Sequence, residues 1–396
     1  MNEAQKIAKY RKYLSDSEKQ ITCYAPFTSM HINMYGIMRP CPFSFREGPQ
    51  WKSLPWWTPK HSLKDFFNGE EYEDLRDAMI EGTLTDVCNY CKNSIKGNKP
   101  PSSLDFDWVG GQRNINNASP KEIEVELSNS CNYMCLGCGP MHSTQHVKDM
   151  GVEKDPKYIS KFDTNSEYYD KIIIDLKEII HDLHRINFTG GEPFAQKIVY
   201  DILKMIEKEK PKDLKIHFTT NGSVMNGAVK RLAQKENTRF TISLDSVNPK
   251  IYPILRVNGN FKNVMNNIDY LLKQKAELGC SFVISKYNVR ELPDIVSWCN
   301  ERFIEFSYHI ISQMGSGWDK IIPISVEFET QEYKKELKKY LQSKIDDITI
   351  IKIENPTETN EKYHQWLVQR KNLNMFKQYI KRINYSKKAT KNYNMI

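Results

Sequence analysis

The sequence predicts an α/β fold in three parts: a small cysteine-rich domain over 1–115, βα units over 116–315, and a mainly helical, basic extension over 316–396. Three observations carry that prediction. From Lys121 onward, short strand-like runs alternate with helical ones, the pattern of βα units around a parallel sheet. Cys23, Cys41, Cys88 and Cys91 all precede a tract rich in Gly, Pro, Ser and Asn, which is linker chemistry near residue 115. After residue 320 the alternation stops and the chain becomes charged and helix-like.

The elements follow in order. Strands are expected at 123–127, 185–190, 214–221, 239–245, 280–285 and 304–311. Helices are expected at 167–183, 196–209, 227–234, 261–276 and 292–302 between them. Strands joined by helices at short spacing make right-handed parallel units. Six units suit an open barrel or a doubly wound sheet, and fall short of the eight a closed barrel uses. Beyond 320 the sequence predicts a strand or loop and then a helix, a further strand at 348–353, and a basic helix from Lys362.

Composition narrows the function classes. Of 396 residues, 39% are hydrophobic and 27% charged, the balance of a polar globular protein. No run approaches the ~18 apolar residues of a spanning helix, so no membrane partner is expected. The first residues, MNEAQKIAKYRKYLSDSEK, are charged throughout with no apolar core for export, so the expected compartment is the cytoplasm. Reducing conditions there make disulfides unexpected for the nine cysteines, and metal binding or catalysis becomes the question. The net charge is +8; eight bases and no acids fall in Arg370–Ile396, which leaves the rest of the chain neutral. That tail is read as a solvated helix end, or as a contact for an acidic partner.

The chemistry sits in CNYMCLGC, where Cys131, Cys135 and Cys138 follow a predicted strand at spacing C-x3-C-x2-C. Three thiolates suit a soft metal or an iron–sulfur cluster and leave one position open for an outside ligand. Thr189-Gly190-Gly191-Glu192-Pro193 ends the next strand. Its glycines let the backbone approach a ligand, and Glu192 offers a carboxylate for an ammonium group. The four early cysteines form two pairs, Cys23 and Cys41 around Gly36, then Cys88-x2-Cys91. Four thiolates close a site, structural zinc or an iron–sulfur cluster.

On these residues, with Thr220-Asn221-Gly222, Ser243-Leu244-Asp245 and Arg256, residues 120–312 resemble the radical S-adenosylmethionine (SAM) enzymes. The resemblance implies a partial (β/α)6 TIM-like barrel. It implies a [4Fe–4S] cluster on Cys131, Cys135 and Cys138, with SAM on the open iron. It implies that Gly190, Gly191, Glu192 and Pro193 hold the SAM amino group. Asn221, Ser243 and Asp245 would face the ribose or methionine moiety, and Arg256 the carboxylate. One departure is Gly137, where the family has an aromatic residue before the third cysteine. The early cysteines are similar to the Twitch domain, a shortened SPASM-like module, here preceding the barrel. That likeness implies a second, auxiliary iron–sulfur cluster on Cys23, Cys41, Cys88 and Cys91.

The expected activity is reductive cleavage of SAM to a 5′-deoxyadenosyl radical, which takes hydrogen from a substrate C–H bond in an oxidation or bond formation. A peptide or protein side chain is the leading substrate class. RNA modification, a small aminocyclitol- or nucleotide-type substrate, and a non-catalytic iron–sulfur or zinc protein are the alternatives. A reductant such as flavodoxin or ferredoxin is an expected partner. Cys280 and Cys299 are expected in the core, His217 and His309 as packed histidines, and Trp51, Trp56 and Trp57 as packing beside the auxiliary cluster or as a ligand platform.

Overall fold

The computed structural model describes residues 2–44, 57–98, 100–109, 119–310, 331–350 and 361–383. The fold is α/β, built on one mainly parallel sheet. Its strands are β1 (Ser29–Asn33), β2 (Met38–Arg39), β3 (Glu122–Glu126), β4 (Arg185–Phe188), β5 (Lys215–Thr220), β6 (Thr238–Ser243), β7 (Glu277–Ile284) and β8 (Glu305–Ile310). They lie in the order β2-β1-β3-β4-β5-β6-β7-β8. The pairs β1–β3, β3–β4, β4–β5, β6–β7 and β7–β8 are parallel, and β1–β2 is antiparallel.

Strands β3 to β8 are the six expected from sequence, with helices between them, and form the partial (β/α)6 barrel. Strands β1 and β2 were not expected. They lie between Cys23 and Cys41, and β1 extends the barrel sheet in register with β3, Ser29 against Glu122 through Asn33 against Glu126. Ser29, Met30, His31 and Ile32 are all buried, and SMHIN alternates polar and apolar residues over only five positions, a short signal for a strand.

The expected borders at 115 and 315 fall outside the described residues. Chain contacts divide the molecule into two compact units, Met1–Ser130 with Val152–Phe218, and Cys131–Gly151 with Thr219–Ile396. In the first unit, Met30, Ile32, Ile123, Val125, Ile186 and Phe188 form the apolar side of the sheet, each almost fully buried. The alternate positions carry His31, Glu124, Glu126 and Asn187, because strand side chains point to opposite faces in turn. Trp57 is completely buried. It stacks on Phe162 at 5.9 Å and donates Nε1–H to Asp175 Oδ2 at 3.2 Å. Core packing, rather than a ligand platform, is therefore its observed role; Trp51 and Trp56 lie outside the described residues.

In the second unit, Cys280 on β7 and Cys299 in the helix Leu292–Glu301 are core residues. The helix Glu361–Arg382 packs on β8. Buried Asn372 binds it there, accepting from Phe306 N at 2.8 Å and donating to Ile304 O at 2.9 Å. Lys371 of the basic tail reaches Glu305 at 2.7 Å, and Arg370 lies over the Trp366 ring. The helix is thus packed through Asn372, Phe376, Tyr379 and Ile380, while Arg370, Lys371, Lys377 and Lys381 on it are exposed. Lys387, Lys388 and Lys391 lie outside the described residues. Of the strand expected at 348–353, residues 348–350 are not in a strand and the rest is not described. Among the described residues no helix is long and apolar enough to cross a membrane.

Candidate cofactor centres

In the first unit, the chain after β3 and the chain after β4 run side by side. Gly191 N donates to Ser128 O at 3.0 Å, and Glu192 N donates to Ser130 O at 2.8 Å. The approach is too close for a side chain. A Cβ on Gly191 would lie 2.3 Å from Ser130 O, and one on Gly190, whose φ is +106°, 2.8 Å from Ser128 O. Glu192 is fully buried and its Oε1 accepts from Phe194 N at 3.2 Å; Pro193 follows, opening a short 3-10 turn. The carboxylate is therefore held rigidly at a strand end. Gly191→Ala is expected to force these two backbones apart, costing about 1–3 kcal/mol of stability and weakening SAM binding. Urea unfolding and SAM equilibrium dialysis check both.

In the second unit, the loop carrying Cys131, Cys135 and Cys138 is tied down at several points. Cys131 N donates to Thr144 Oγ1 at 3.2 Å, and Ser143 Oγ donates to Tyr133 O at 2.5 Å. Met134 N and Leu136 N bond to the carbonyls of Val257 and Leu255. Imidazole Nε2 of buried His146 lies 3.0 Å from Cys135 O. Asn221 donates to Asn132 Oδ1 at 2.9 Å, and Asn132 donates to Ser223 Oγ at 2.9 Å. Tyr133 and Tyr252, both buried, bring their hydroxyls to 3.5 Å of each other. Gly137 is exposed.

Arg256 is where the structure refines the expectation. Its Nε lies 2.7 Å from Asp245 Oδ2, and its Nη1 lies 3.5 Å from Cys135 Sγ. The expected carboxylate-binding arginine is thus already a partner of Asp245 and of one cysteine. Asp245, at φ +61°, also accepts from Val283 N at 2.7 Å. Its carboxylate is engaged with protein on both oxygens, which leaves Ser243, half-buried at the end of β6, more accessible than Asp245.

None of the nine cysteines is in a disulfide. Burial and repulsion from Cys135 push the Cys138 thiol up to about 12. Burial also raises Cys135, with Arg256 pulling the other way. In the first unit, Cys23, Cys41, Cys88 and Cys91 line one largely apolar cavity. Burial, then mutual repulsion, raises Cys23 and Cys41, and Cys91 is pushed to about 11. Sulfur-directed hydrogen bonds come from Ala25 N to Cys23 at 3.4 Å, from the Ser102 and Ser103 amides to Cys91, and between Thr85 Oγ1 and Cys88 at 3.6 Å. Such thiols lose their protons only to a positive centre that replaces them. The donor sets, three sulfurs on a loop and four around an apolar cavity, fit iron–sulfur clusters, which thiolates hold. Among the described residues no three His, Cys, Asp or Glu side chains are drawn as tight as a single bound ion requires.

Other polar residues lie outside these two cysteine sets. Arg11, with no exposed surface, donates to Asp107, to Ile21 O at 2.5 Å and to Thr22 O at 3.1 Å, and so clamps the chain entering Cys23. His31 brings Nε2 to 3.6 Å of Glu124 and 3.5 Å of Glu126. The alternation in SMHIN and EIEVE was the available signal for that cluster. His217 is half-buried on β5 and His309 exposed on β8.

Comparison with known proteins agrees with these centres. The family profile described as the radical SAM superfamily matches residues 125–299. The SPASM profile, an iron–sulfur cluster-binding domain, matches residues 23–92. A probable GTP 3′,8-cyclase of Methanocaldococcus jannaschii is 24% identical over 230 residues, covering 57% of this chain and 71% of that one. The GTP 3′,8-cyclase of a Synechocystis species is 25% identical over 196 residues, covering 49% of this chain and 55% of that one. The crystal structure of Streptococcus suis SuiB aligns at 18% identity with a TM-score of 0.41, covering 72% of this chain and 58% of that one. The chain thus spans between about half and three-quarters of the length of these proteins. Residues 125–299 are therefore a domain of the radical SAM superfamily, preceded by a SPASM-type iron–sulfur cluster-binding domain over residues 23–92.

Proposed function

We propose that the chain cleaves SAM reductively and directs the resulting radical at a small, nucleotide-type substrate. The observation that carries the first half is the loop of Cys131, Cys135 and Cys138, anchored on both sides and touched by the buried Arg256 guanidinium. When bound, the cluster and SAM supply an electron and a 5′-deoxyadenosyl radical able to take hydrogen from a C–H bond. The chain's own part is positional. Glu192 and the Gly190–Gly191 backbone would hold the SAM amino group at the rigid end of β4. Asn221, locked through Asn132 to the cysteine loop, and Ser243 would face the ribose. Arg256 is ion-paired with Asp245 and gives Nη1 to Cys135, and its remaining N–H groups would serve the SAM carboxylate.

The second half rests on the curated relatives, whose names speak of a nucleotide cyclisation. Peptide side chains, placed first on resemblance alone, take second place for that reason. The RNA alternative leaned on the basic tail alone, of which Lys371 is paired with Glu305. The auxiliary centre, ligated by four cysteines, would exchange electrons rather than bind substrate. Flavodoxin or ferredoxin would be the reductant. The test is anaerobic reconstitution with iron and sulfide, then SAM and dithionite. 5′-Deoxyadenosine should form, and GTP should stimulate it more than short peptides do. No 5′-deoxyadenosine from iron-replete protein would overturn the reading, and stimulation by peptide alone would overturn the substrate class.

A further inference from the structure

Outside both cysteine sets, the first unit contains a cavity of about 310 Å³. That is the scale of a small-molecule site. It is lined by Ser130, Tyr158, Phe162, Thr164, Tyr169 and Gln196, among others. Gln196 is the telling residue. It is 3% exposed, its Nε2 donates to Ser128 O at 3.3 Å, and its Oε1 has no partner. The orientation of this amide is not arbitrary, because a backbone carbonyl accepts only from the NH₂ end. The orphan atom is therefore an acceptor, buried at the cavity wall, and a buried acceptor without a donor costs free energy until one arrives.

The rest of the wall narrows the donor. Tyr158, Phe162 and Tyr169 are buried aromatics. Phe162 is backed by the stacked Trp57 ring, so this wall is fixed in place. Lys197 is the one base among the lining residues. Its ammonium is spent on Asp201 at 2.6 Å and on Tyr169 Oη at 3.2 Å. The cavity therefore offers aromatic surface and a hydrogen-bond acceptor, and no free cation for a phosphate.

We infer that this cavity is a binding site for a neutral purine-type ring, which donates a ring-edge N–H to Gln196 Oε1 and lies against the wall of Tyr158 and Phe162. A sugar and any phosphates stay outside it. The inference deepens the reading of a nucleotide-type substrate and rests on it.

The test uses the full chain, anaerobic and cluster-loaded, in equilibrium dialysis with guanosine and with purine riboside, whose ring carries no N–H. Guanosine should bind at one site per chain, and purine riboside at least about tenfold more weakly. Gln196→Leu should weaken guanosine by a similar factor and abolish the preference between the two nucleosides. Thr164→Trp, at the exposed rim, should block both nucleosides while its melting temperature stays that of the parent. Equal affinity for the two nucleosides, or guanosine binding unchanged in both variants, would overturn the site, as would no binding at all, which leaves a water on Gln196. 5′-Deoxyadenosine formation is measured in parallel. Protein that makes it yet binds no guanosine sinks this inference alone. Gln196-dependent guanosine binding by protein that never makes it sinks the proposed reaction alone.

Discussion

Cys135→Ala is expected to bring 5′-deoxyadenosine formation down to background, a loss of about a thousandfold or more, or about 4 kcal/mol of barrier. Cys135 is the buried member of its loop and the sulfur that Arg256 touches. Two sulfurs remain without it, and the third anchor of the barrel cluster is gone. Cys88→Ala is the companion experiment. It removes a sulfur from the other set, packed among Cys23, Cys41 and Cys91. It should lower bound iron by roughly one cluster and leave SAM cleavage running uncoupled. Iron analysis, 5′-deoxyadenosine by chromatography and circular dichroism on both variants read the outcome. A folded Cys88→Ala protein that no longer cleaves SAM would show that the two centres do not divide the work in this way.

The second large effect is on stability. Arg11→Met should cost about 3–5 kcal/mol, because it leaves a buried carboxylate without its counter-charge. It should also release the auxiliary cluster's iron, since Arg11 holds the two carbonyls immediately before Cys23. Asp107 makes the signature specific. Burial already holds its carboxyl above the ordinary value, with Arg11 and the Tyr13 hydroxyl pulling it down. Without Arg11 it rises further. A carboxyl raised in the folded state binds more protons there than when unfolded, so stability falls as pH rises from the ordinary Asp value of about 3.9 through the raised one. The Arg11→Met protein should therefore regain part of its loss as pH is lowered towards that range. Removing both partners in Arg11→Met with Asp107→Leu should recover most of it. Urea midpoints across pH test this, and a pH-independent loss would assign the effect to packing instead.

Much of the fold was legible. Strands β3 to β8 were found because each has an apolar side and a polar side, and both signals lie within a few consecutive residues. The helices between them were found for the same reason. The two cysteine sets were legible because their spacing in the chain is itself the chemical signal, and both profile matches fall on them. β1 was not picked out, since SMHIN alternates polar and apolar residues over only five positions, too short a run to stand out.

The candidate site shows the same boundary at the level of side chains. Glu192 and its glycines could be named from TGGEP, but that Gly191 presses on Ser130 O could not. Arg256 could be named as a guanidinium near the cofactor, but its pairing with Asp245 and Cys135 could not. Arg11 and Asp107 are 96 residues apart, and nothing local in either marks the other. Sequence alone determined which atoms are on offer for the proposed chemistry: seven thiols in two spaced sets, one carboxylate and one glycine pair at a strand end. Tertiary structure decided which of those atoms are already engaged, which are rigid, and where an acceptor such as Gln196 Oε1 is left waiting. The reason is physical: periodicity and spacing are properties of neighbours along the chain, whereas burial and pairing are created only when distant segments meet and exclude water.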